Sequence, residues 1–69
     1  DIPAEVARVH AEIDKSRGFL AGVETKLANA GFVARAPAAV VDQQRGRRAD
    51  LLQDIQRLEK LAAMLAAAE

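Results

Sequence analysis

The sequence has no cysteine, no tryptophan and no tyrosine, and only two phenylalanines among 69 residues. Without cysteine, no disulfide staples the chain and no thiolate can hold a metal. With two aromatic rings there is no large aromatic core. Proline occurs twice, at Pro3 and Pro37, so long stretches are free of the strongest helix breaker. No apolar run approaches the roughly 20 residues that span a bilayer, and no signal-peptide pattern opens the chain. There is a single histidine, His10, and no glycine-rich phosphate cradle, which leaves little from which to build a catalytic site. His10 and Asp14 make one i, i+4 pair, too few ligands for a metal centre. A chain this short holds one small domain. Without staples it depends on well-formed helix–helix packing. It begins with Asp1 rather than Met, which fits an excised or processed piece whose catalytic part is elsewhere.

What is present is alanine and a heptad rhythm. Asp1, Pro3 and Glu5 have the elements of a helix start: a cap, an early proline, and an acid in the first turn. Beyond them Val6, Val9, Ile13, Ser16, Leu20, Val23, Leu27 and Ala30 recur at alternating spacings of three and four. That spacing is a coiled-coil seam. It predicts a helix over 3–29, about 40 Å long at the usual rise. A second seam runs through Val41, Gln44, Arg48, Leu51, Ile55, Leu58, Ala62 and Leu65. It predicts a helix over 37–67, about 46 Å long.

Between the two, Asn29 and Gly31 suit a helix stop, because both tolerate the left-handed backbone that ends a helix. Pro37 suits the first turn of the next helix, where its missing N–H is no loss. The expectation is a tip loop over 30–36, with Phe32 and Val33 folded back on Leu27, Val40 and Val41. The fold class is then all-α: two long antiparallel helices forming a coiled-coil hairpin. A bend near residue 33 sets Leu27 opposite Val41, Leu20 opposite Arg48, Ile13 opposite Ile55 and Val6 opposite Ala62. The same register brings Glu24 near Arg45 and His10 near Glu59. Gly18, Gly22 and Gly46 fall on outer positions. They mark either tolerant exposed sites, or local bending or close approach of a ligand.

Equal numbers of acids and bases hide a polarity. From Lys15 to Arg48 there are seven bases (Lys15, Arg17, Lys26, Arg35, Arg45, Arg47, Arg48) and two acids (Glu24, Asp42), a net +5. The rest of the chain carries a net −5. A positive distal end suits a polyanion, and arginine's planar fork binds phosphate and stacks on bases. Phe19 flanks the seam opposite Arg47. It either covers the seam from the side or offers an apolar platform to nucleobases. Arg48 sits at a seam position, where a guanidinium must snorkel outward. There it would crowd Arg45 and Arg47, an arrangement that an anion would relieve.

The stretch Lys26–Val41, KLANAGFVARAPAAVV, resembles the tip of the C-terminal coiled-coil arm of bacterial-type valyl-tRNA synthetases. Lys26, Leu27, Asn29, Phe32, Val33, Arg35, Ala36, Pro37, Val40 and Val41 carry the resemblance, which extends from about Asp1 to about Leu65. The sequence departs from a frequent acidic pattern after the two valines, with Asp42, then Gln43 and Gln44, then Gly46. The resemblance implies a non-catalytic tRNA-binding appendage of a cytoplasmic valine–tRNA ligase, gripping the outer corner of tRNA where the D- and T-loops meet. It implies tRNA-Val and the rest of the synthetase as partners. ATP and Mg would act elsewhere in that enzyme, with no cofactor in this segment and no membrane partner. The nucleic-acid-binding candidates are Lys26, Arg35, Arg45, Arg47, Arg48, Arg17 and Phe19. Competing readings are a protein–protein coiled-coil module, with some weak self-association, and an rRNA-facing hairpin of an ATPase. The tip sequence argues against the ATPase.

Overall fold

A computed structural model describes residues 1–68. Glu69, one of the acids counted at the negative end, lies outside the described residues. The described residues form three helices and no strand: α1 (Ile2–Ala28), α2 (Ala30–Arg35) and α3 (Ala38–Ala67). The molecule is a rod of 50 × 14 × 13 Å, with α1 and α3 packed along its length.

The heptad spacing explains which faces meet. Val9, Ile13 and Val23 of α1 are buried, as are Val41, Ile55, Leu58 and Ala62 of α3. Val6, Ser16, Leu20, Leu27, Gln44, Leu51 and Leu65 are half-buried. Of the seam residues read from the sequence, only Ala30 and Arg48 are exposed. Val9, Ile13, Leu58 and Ala62 form one cluster, with Leu65 packed against it. Burying such side chains contributes about 1.5–3 kcal/mol each for Val, Leu or Ile. Outside the seam, Arg8 bonds Glu5 at 2.9 Å and Glu12 at 3.3 Å along one exposed face. The hydrogen bond from Arg8, and then its charge, holds the Glu5 carboxyl below the ordinary carboxylate value.

The tip differs from the expected loop. Residues 30–35 are wound into α2, and no residue among those described has a positive φ, so neither Asn29 nor Gly31 is left-handed. Asn29 is extended (φ −81°, ψ 105°) and serves two helices at once. Its N–H donates to the Lys26 carbonyl at 3.2 Å, closing α1. Its Oδ1 accepts the Phe32 N–H at 3.1 Å, opening α2. This is an asparagine used as an N-cap rather than as a left-handed stop. Gly31 is needed for a related reason: a Cβ there would lie 3.2 Å from that capping oxygen. Phe32 and Val33 are half-buried, and Val40 is exposed. Ala36 and Pro37 are both extended, as the residue before a proline and a proline outside a helix prefer. Pro37 is the cap of α3 rather than its first residue, and its carbonyl accepts the N–H groups of Val40 and Val41.

The register changes with the tip. Arg48 Nε donates to Glu24 Oε2 at 3.2 Å, so Glu24 pairs with Arg48 and not with Arg45. Arg17 pairs with Glu59 at 2.8 Å; His10 lines the same shallow hollow but does not take the carboxylate. The buried cluster groups Ile13 with Val9, Leu58 and Ala62 and includes neither Ile55 nor Val6, the partners expected for Ile13 and Ala62. The partners of Glu24 and Ile13 thus lie further toward the end of α3 than a bend at residue 33 allows. Residues 30–35 are wound into α2 where the expected register had a loop, and Glu24 meets Arg48, about one turn beyond Arg45.

Candidate nucleic-acid interface

The arginine-rich segment of α3 does not present a single cluster. Arg45 leans along its own helix toward Asp42, 3.6 Å away. Arg48 crosses to Glu24. Arg47 lies over the ring of Phe19, with its guanidinium carbon 6.0 Å from the ring centroid. Each of the three has its own partner, so the crowding expected from the sequence does not arise. Arg17, nearer the free ends, is held by Glu59. Lys26 in the last turn of α1 and Arg35 at the end of α2 are exposed. Among the described residues Lys15, Lys26, Arg35 and Arg47 form no ion pair. The distal positive charge therefore divides into arginines tied to carboxylates and cations left free.

Phe19 is 49% exposed, so it covers the seam only in part and still shows much of its ring. Its meeting with Arg47 is the one expected from the sequence. The long arginine side chain spans the one-turn change in register. Beside this pair runs an open groove of about 840 Å³ between α1 and α3. Lys26 and Val23 line it from α1, and Gln43, Gln44 and Arg47 from α3. Gly18, Gly22 and Gly46 lie in the same groove, and a Cβ at any of them would meet nothing within 4 Å. Asp50 and Asp54 also line it, beside Leu51 on α3.

Sequence reasoning set Phe19 opposite Arg47 and named Lys26 apart from them, and the fold brings all three to one groove. It left out Gln43 and Gln44 as lining residues and Lys15 as a free cation. Neither has a local signal, because exposure and pairing depend on the register. Among the described residues no group of three or more histidines or carboxylates could hold a metal ion, and no helix is long and apolar enough to cross a membrane.

Comparison with known proteins follows the same lines. A family model described as the valyl tRNA synthetase tRNA binding arm matches residues 1–66. A valine–tRNA ligase of Bacteroides fragilis is 46% identical over 65 residues, covering 94% of this chain and 7% of the relative. The ligase of Dechloromonas aromatica is 45% identical with the same coverage. That of Geobacillus stearothermophilus is 42% identical over 66 residues, 96% of this chain and 7% of its own length. The chain thus spans about 7% of the length of the curated relatives it matches. No solved structure matches it significantly.

Proposed function

The chain belongs to the valyl-tRNA synthetase tRNA-binding-arm family, and from that membership we propose that it grips the outer corner of tRNA for a valine–tRNA ligase. In this reading α1 and α3 act as an antiparallel coiled-coil hairpin, a lever that carries its distal half to the corner where the D- and T-loops meet. Activation of valine, with ATP and Mg, and transfer to tRNA-Val belong to other domains of a cytoplasmic parent enzyme. The arm needs no cofactor of its own. The observation that carries the reading is the set of cations without an ion pair among the described residues, Lys15, Lys26, Arg35 and Arg47, on the distal half of a chain matched to this family over nearly its whole length. Recognition rests on shape and phosphate charge, since a slender rod offers few convergent donors for reading bases.

The test compares two tRNA-Val transcripts of equal length, one intact and one with the D-loop/T-loop pairing removed. Weaker binding to the second is expected at every salt concentration. Equal binding would exclude the corner as the target. At the other end of the rod Met64 is 70% exposed and Leu61 is 39% exposed. These suit contact with the parent enzyme and weak self-association of the isolated chain. A sedimentation profile independent of concentration would remove the second of these.

A further inference from the structure

We propose that Lys26 and Arg47, with the exposed ring of Phe19, form a seat for the sugar–phosphate backbone of one RNA strand. The inference rests on the tRNA-binding reading and assigns the interaction to particular residues within it. The two cations face one groove from opposite helices, and neither is spent on a carboxylate. Arg47 is positioned by the Phe19 face, an interaction that orients the guanidinium while leaving its N–H donors unclaimed by any acid. Its neighbours Arg45 and Arg48 are already engaged, with Asp42 and Glu24. The groove floor beside the cations is bare at Gly22 and Gly46, so a strand can approach the helix backbone closely there. Gln43 and Gln44 add neutral amide donors along the same edge. Asp50 and Asp54 repel phosphate, so the strand lies on the Lys26 side of the groove and stops short of them.

The experiment titrates a labelled, unmodified tRNA transcript with this chain over a range of salt concentrations, by fluorescence anisotropy. The double variant Lys26→Gln/Arg47→Gln should bind more weakly. Its log–log salt slope should be smaller by about 2, one unit for each phosphate that is no longer neutralised. Lys60→Gln, at the other end of the rod, should change neither. Gly22→Ala and Gly46→Ala should raise the melting temperature, because alanine favours helix and the space is open. They should nonetheless weaken tRNA binding, because the added methyl lifts the strand. Binding by the unsubstituted chain that the double variant retains in full overturns the seat alone. Absence of any binding by the unsubstituted chain overturns the tRNA reading and the seat together. Glycine variants that melt higher and bind equally well contradict a strand on the groove floor. Displacement of the transcript by a poly-glutamate peptide of matching charge as readily as by unlabelled transcript would mean an acidic protein fits the groove as well as RNA, and would also overturn the proposal.

Discussion

Asn29 shows how one side chain can decide the path of a chain. Its oxygen is drawn to the Phe32 N–H, and that bond starts α2 where a loop would otherwise lie. Gly31 occupies the space this oxygen leaves, not a left-handed turn. Glycines of this chain should therefore respond differently to the same substitution. Gly18→Ala should stabilise the fold by about 0.8–1 kcal/mol, the helix-propensity difference in open space. Gly31→Ala should gain less, or lose, because its methyl would press on the capping oxygen at 3.2 Å. Urea unfolding of both variants measures the difference. Equal gains would mean that the Asn29 cap is not what holds the tip.

The two long helices are legible in the sequence because their signal is local. Apolar residues three and four apart mark a buried face whatever lies opposite, and the seam from Val6 to Leu27 is buried or half-buried throughout. The register is not legible, because it depends on a tip where two uses of asparagine fit the same letters. A bend at residue 33 would set Glu24 against Arg45; in the structure Glu24 meets Arg48. The site is legible to the same extent. Phe19 and Arg47 meet as their spacing suggests, whereas the division of the arginines into paired and free follows only from the register. A double-mutant cycle between Glu24→Gln and Arg48→Gln should give a coupling of about 0.2–1 kcal/mol, the range for exposed pairs. The corresponding cycle with Arg45→Gln should give none. Coupling to Arg45 alone would restore the register of a bend at residue 33 and undo the account of the tip.

At the scale of the whole molecule the governing feature is polarity. A chain with no formal net charge would not be expected to bind a polyanion on composition alone. The helices form a rod 50 Å long, well beyond the Debye length of about 8 Å at physiological salt. The acids of the far end are then screened from a ligand held at the other, whereas Asp50 and Asp54, which share its groove, limit how far the ligand extends. Of the cations toward the bend, those without carboxylate partners are best placed to meet phosphate, since nothing must be broken first. The most direct measurement compares two triple variants that remove the same amount of positive charge. One replaces Lys26, Arg35 and Arg47 by glutamine; the other replaces Arg8, Arg57 and Lys60. Both are titrated with tRNA-Val transcript at several salt concentrations, after circular dichroism has shown each to be helical. The first should lose affinity and salt slope, while the second should bind nearly as the unsubstituted chain does. Equal losses in the two variants, or no loss in the first, would contradict the claim that the distal end grips RNA.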